Sequence, residues 1–183
     1  DPTRVGAVRL FAGITPVSVG GDSIGATIQV ESLPPAFAAP GTGTLREGEV
    51  GVWGRSNGHA KGGHASATYA TEQFSLRYDG AVAQSDNYRA ARDFKRAGPA
   101  ASDKPQRWLR GDEVGSSSYL TRNHGLSLAW RGAQDMVDLR LGVQDIPYQN
   151  FANQRMDMTG NDGQQFNLRY QGQRSWGKLQ ARV

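Results

Sequence analysis

The chain has 183 residues, of which 37% are hydrophobic, 24 are glycine and none is cysteine, and its formal net charge is +4. That length suits one domain, but a mean hydropathy of −0.59 leaves few large aliphatic side chains for a compact soluble core. The absence of cysteine excludes a disulfide framework, a thiolate metal site and a cysteine nucleophile, and no apolar run approaches the roughly 20 residues of a transmembrane helix. A sequence pI near 9.6 raises the question of nucleic acid. The basic residues are spread along the chain, however, with no basic helix or aromatic ribonucleoprotein motif, so no nucleic acid is expected as partner.

In chain order, the first feature is VGGDSIGATIQV, Val19 to Val30, in which Gly20, Gly21 and Gly25 precede a short apolar run. The stretch lacks the Lys-Ser/Thr ending of a phosphate loop and the spacing of a dinucleotide fingerprint, and no crossover helix follows. It reads as a turn in which glycine supplies positive φ and close backbone approach, leading into a strand from Ala26 to Val30. Pro34, Pro35 and Pro40, set among Ala and Gly, then make 33–44 a linker.

Beyond the linker the dominant signal is alternation with period two, the mark of strands with two unlike faces. Phe74, Leu76, Tyr78, Gly80 and Val82 alternate with Gln73, Ser75, Arg77, Asp79 and Ala81; Val137, Leu139, Leu141 and Val143 alternate with Asp138, Arg140, Gly142 and Gln144. The pattern predicts about seven strands, at 47–56, 61–71, 73–87, 117–131, 135–146, 164–173 and 176–183. All eight prolines fall outside these segments, as ladder hydrogen bonding requires.

The connections alternate in length. Thr71-Glu72, Gly132-Ala133-Gln134 and Arg174-Ser175 are tight links, whereas Tyr88 to Ser116 and Pro147 to Gly163 are long. An antiparallel meander with tight turns on one rim and long loops on the other is the pattern of outer-membrane barrels. Its strands match the roughly 9 to 11 residues of a tilted spanning strand. The polar face carries Arg77, Asp79, Asp138, Arg140, Arg169, Lys178 and Arg182, and the apolar face carries Tyr69, Phe74, Trp130, Phe166, Tyr170 and Trp176. Those faces suit a watery lumen and an aromatic girdle. The predicted fold class is therefore all-β, an antiparallel meander forming part of a transmembrane β-barrel. A soluble all-β binding module, a sandwich with a second sheet over the apolar face, is the alternative.

The segment Val8 to Val30 resembles the end of the plug domain of TonB-dependent outer-membrane receptors: a strand, a Gly/Pro segment with Gly13 and Pro16, a small-residue loop, and the Gly20, Gly21 and Gly25 turn before a closing strand. In the family the Gly-Pro pair is adjacent, whereas here Ile14-Thr15 separates it. Gln144 to Asn161 and Tyr170 to Leu179 resemble strand-to-loop and tight-turn segments of the same receptors. The resemblance implies that 1–32 is the plug's C-terminal end, 33–44 the linker and 45–183 the first strands of a barrel of about 22. It further implies a fragment lacking the TonB-binding box, a TonB partner, a place in the outer-membrane lipid bilayer, and import of a small-molecule or metal-chelate substrate without covalent chemistry or cofactor.

Three groups of residues bear on the substrate. Loop 88–116 holds seven Lys/Arg against four Asp/Glu with Tyr88, Phe94 and Trp108 interleaved. Arg92, Phe94, Arg96, Trp108 and Arg110 would attract and stack on an anionic chelate such as a ferric siderophore; outer-leaflet lipid phosphates would attract the same arginines. Met156, Asp157 and Met158 would suit a soft metal such as Cu(I), or the two methionines are adaptable loop packing. His59, His64 and His124 are scattered; His59 and His64 straddle the first hairpin, but no spacing fixes a third ligand. Ser116-Ser117-Ser118 has no positioned base, and Asp79, Asp138 and Asp157 lie on separate strands or loops, so no enzyme is expected.

Overall fold

The computed structural model describes residues 5–15, 17–19, 25–99, 108–152 and 157–183. It is built of strands: β1 (Val5–Ala12) and β2 (Ala26–Ser32) form an antiparallel ribbon. β3 (Leu45–Arg55), β4 (Ala60–Ala70), β5 (Phe74–Ser85), β8 (Tyr119–Arg131), β9 (Asp135–Gln149), β10 (Asn161–Arg174) and β11 (Gly177–Arg182) form one antiparallel sheet. Two short strands, β6 (Gly98–Pro99) and β7 (Trp108–Leu109), pair within the long excursion between β5 and β8. The sheet order is strictly sequential apart from that excursion. Each of its seven strands lies within three residues of its predicted ends.

Register follows the side-chain pattern. Tyr69 pairs with Leu76, Leu76 with Leu128, Leu128 with Leu139 and Leu139 with Leu168, a row of large apolar residues across five strands. The next row holds Tyr78, Leu126, Leu141 and Phe166. A slip of one residue anywhere would turn a strand's apolar set onto the polar face. Phe74 and Trp130 pair at the rim of short turns, where Trp176 occupies the last turn; Phe166 lies mid-strand, in the apolar band rather than the girdle.

Burial is inverted relative to a soluble domain. Among the described residues the buried set contains Thr68, Ser75, Asp79 and Asp138 alongside small Ala38, Ala60, Ala70 and Ala129, whereas Val50 is 80% exposed and Phe166 60%. The residues that face the linker at Leu33, Pro34 and Pro35 include Thr68, Ser75, Arg77, Asp79, Ser127 and Arg140, with Ala129 among them. The polar face is therefore the covered one, and no second sheet of the described residues lies over the apolar face. In this the described sheet differs from a sandwich, whose apolar face a second sheet would cover.

One expectation needs correction. β9 runs through Pro147 to Gln149 instead of ending at residue 146. The pairing with β8 skips a residue between Leu120 and Arg122, and β10 begins opposite Ile146, so Pro147 stands at a bulge where no ladder donor is required of it.

Candidate functional site

The polar face is organised around Asp138, which is 2% exposed. Arg140, two residues along β9, donates from Nε and Nη2 to its carboxylate, the latter at 2.9 Å, and Arg169 of β10, directly opposite in register, donates from Nη2 at 2.8 Å. A buried carboxylate is stable only when paired and hydrogen-bonded, and two guanidiniums meet that need. Arg140 Nη2 also donates to the Leu33 carbonyl at 3.0 Å. In the same register row as Arg140, across Ser127, Arg77 donates to Thr68 Oγ1 at 3.2 Å.

The linker is fastened again at the short-turn rim. Ala38 N–H donates to the Thr71 carbonyl at 3.1 Å, Gly41 N–H to Glu72 Oε1 at 2.7 Å, and the Arg131 guanidinium lies 4.3 Å from the Phe37 ring centroid while donating to the Glu72 carbonyl. Periodicity revealed the polar face, but these tethers join residues distant in sequence; the stiff Pro34-Pro35 pair was the one local sign that the linker has a fixed course.

In the β1–β2 ribbon, Gly13 N–H donates to the Gly25 carbonyl at 2.9 Å, and the positive φ falls on Gly13 at 83° rather than on Gly25. Gly20 and Gly21 lie outside the described residues.

The long-loop rim has its own order. Segments 88–99 and 108–114 run back along each other, with Ala90 N–H on the Asp112 carbonyl, Phe94 N–H on the Gly111 carbonyl and Val114 N–H on the Tyr88 carbonyl. That pairing brings Phe94, Trp108 and Arg110 onto one lobe, in which Leu109 is buried. Phe94 and Trp108 are exposed, with Lys95 Nζ 5.7 Å from the Phe94 ring centroid; Arg110 pairs with Asp112 at 3.4 Å, and Arg92 and Arg96 are exposed on the same lobe.

Asp157 is engaged in the loop framework: Oδ2 accepts from Ser116 Oγ at 3.0 Å and Oδ1 from Phe151 N–H at 3.2 Å, latching the two long loops together. Met158 bridges Gln149 through both backbone groups; Met156 lies outside the described residues. The histidines are separate. His59 meets Asp86 at 3.3 Å, His64 meets Glu49 at 3.3 Å on the polar face, and His124 meets Tyr78 Oη at 2.8 Å on the apolar face. Among the described residues no three His, Cys, Asp or Glu side chains converge to hold a metal.

A sequential antiparallel wall that is apolar outside and charged inside, with only short turns on one rim, both long loops on the other and a fastened linker leading from a small ribbon, is the fold of one section of a TonB-dependent receptor. The particular likeness is to the copper transporter OprC: it covers 100% of this chain and 25% of that one, with a TM-score of 0.77 at 19% sequence identity. The chain thus spans about a quarter of the protein whose fold it shares. No family model and no curated protein matches the sequence.

Proposed function

We propose that the chain is part of an outer-membrane, TonB-dependent transporter that imports a scarce nutrient, with a ferric siderophore as the favoured cargo. In this reading 1–32 end the plug, 33–44 link plug to barrel, and 45–183 supply the first barrel strands. The observation that carries it is the inverted sheet. Leu, Val and aromatic side chains cover the face away from the linker, while a buried Asp138 and its arginines line the other. Only a wall between lipid and a polar interior makes both faces favourable, since hydrocarbon satisfies the first and not the second.

The siderophore preference is supported by the exposed lobe of Arg92, Phe94, Arg96, Trp108 and Arg110, whose charge and rings suit an anionic chelate by steering and stacking. A second reading, copper import, is favoured by the fold likeness to a copper transporter and by the thioether of Met158 beside Asp157, with Met156 one residue further back. Uptake of radioactive iron as a siderophore complex, and of copper, by cells expressing the intact protein tests the proposal. Uptake should require both the protein and TonB; accumulation that is the same in TonB-deficient cells would end the reading.

A further inference from the structure

Where β3, β5 and β9 leave the sheet at the long-loop rim, an asparagine follows within two residues: Asn57, Asn87 and Asn150. Its side chain carries both a donor and an acceptor, so it can bond the backbone of a neighbouring segment as a strand would. Asn57 does so with Arg89: Nδ2 donates to the Arg89 carbonyl at 2.9 Å, and Oδ1 accepts from the Arg89 N–H at 2.7 Å. Asn87 Nδ2 donates to Glu113 Oε1 at 2.9 Å, and its Oδ1 accepts from the Ser117 N–H at 3.0 Å. Asn150 donates from Nδ2 to Ser118 Oγ at 2.9 Å and from its backbone N–H to the Ser118 carbonyl at 3.0 Å.

Each clasp reaches a different segment, so the three join in series. The β3–β4 turn holds 85–89, where the Asp86 N–H also donates to the Gly58 carbonyl at 2.7 Å. A side chain at Gly58, whose φ is 73°, would stand 2.8 Å from Ser85 Oγ, so the turn lies close against the start of the excursion. Segment 85–89 in turn holds 113–117 through Asn87 and through Tyr88, whose N–H donates to Ser117 Oγ at 3.1 Å. Segment 116–118 then holds the loop after β9 through Asn150 and through the bond from Ser116 to Asp157. Ser116 itself has a φ of 54°. A non-glycine residue keeps that conformation only where its surroundings over-determine it, and here its hydroxyl is held on one side and the next N–H on the other.

We propose that these clasps make the long-loop rim one cooperative collar, in which the β3–β4 turn, the stem of the 88–116 excursion and the loop after β9 open together or not at all. A segment held by a few exposed hydrogen bonds of its own opens alone at little cost. Segments that share partners in series must lose several bonds before any one of them opens. The lobe of Phe94, Trp108 and Arg110 springs from the middle of the collar, between the clasps of Asn57 and Asn87 on one side and that of Asn150 on the other. Its rings and charge are thereby presented in a fixed place, and a load on the lobe is shared with the loop after β9. A surface ordered in advance loses less freedom on binding than a loop that must first settle. The collar concerns how the rim moves and goes beyond the transport reading.

The test is amide hydrogen exchange of the intact protein in detergent, read by mass spectrometry over segments 86–94, 112–118 and 149–152. Asn57→Ala should speed exchange in all three by about 10-fold, the effect of losing two ordinary hydrogen bonds, although 149–152 lies two clasps away. Asn57→Asp, which keeps the acceptor for the Arg89 N–H, should speed it by about 3-fold. Asn167→Ala, in the row of Arg140 on the wall and away from the rim, should change none of the three. Folding of each variant is checked by heat-modifiable migration on gels. Faster exchange confined to 86–94 overturns the collar, as does unchanged exchange in folded Asn57→Ala. The measurement needs neither TonB nor cargo, so a transporter reading that fails in cells is told apart from a collar that fails in the exchange.

Discussion

Arg140 and Leu33 lie 107 residues apart and meet through a hydrogen bond of 3.0 Å from guanidinium to backbone carbonyl, immediately before Pro34-Pro35. The arginine is not free to wander, because Asp138 holds its other edge and Arg169 holds Asp138. The start of segment 33–44 is thus fixed to the sheet by a chain of three charged side chains.

Replacing Asp138 by Ala leaves Arg140 and Arg169 facing each other without their shared counter-charge. Breaking a buried ion pair on one side costs about 3 to 5 kcal/mol, so the variant should unfold at lower denaturant by about that amount. The linker, released at Leu33, should be cleaved faster by protease within 33–44. Cleavage and unfolding midpoint both unchanged would show that the tether carries no strain and no stability.

Leu141 sits in the row Tyr78, Leu126, Leu141, Phe166 at mid-strand on the apolar face, one residue from Arg140 on the other. Leu141→Arg should destabilise the protein folded in lipid by about 2 to 4 kcal/mol, the cost of a cation near the bilayer midplane. Val82→Arg, beside Arg122 toward the long-loop rim, should cost about 0 to 1 kcal/mol. Reversible folding into liposomes, followed by denaturant titration, measures both; equal costs would argue against a depth gradient.

The sheet was legible because alternation is a local property: Phe74 to Val82 and Val137 to Val143 carry their faces on their own strands. Pro147 misled the end of β9 because it lies in a bulge, Ile146 and Pro147 facing the single Thr121 of β8, and that two-against-one count exists only in the pairing of the two strands. The tether of Arg140 to Leu33, the stacking of Arg131 on Phe37 and the pairing of the Trp53 and His64 rings with Gly62 and Gly51 of the facing strand depend on register between distant residues. A sequence pattern holds no signal for the first two. For the last, glycines at 51 and 62 inside strands were a sign that something else needed the space. The candidate site divided likewise: loop composition pointed to the Phe94, Trp108 and Arg110 lobe, while the structural work of Asp157 became visible only with its two donors.

If copper is cargo, Met156→Leu combined with Met158→Leu should lower copper uptake by about 10-fold or more, since both thioether ligands are lost without changing the packing volume greatly. Asp157→Asn should act differently. It removes the charge that accepts from Ser116 and Phe151, so its expected effect is faster protease cleavage of the two long loops. Copper uptake unchanged in the double methionine variant would remove these residues from the transport path.

The most direct measurement of the account is single-cysteine labelling of the intact protein in native outer membranes, in a background without other cysteines. A water-soluble maleimide should react with cysteines placed at Ala81, Ala83 and Asn123 on the polar face and leave those at Leu76, Leu128 and Leu139 unmodified, while a lipid-soluble reagent should show the reverse. Equal reaction of both sets with the water-soluble reagent would put the apolar face in water and contradict the barrel wall on which the proposed transport rests.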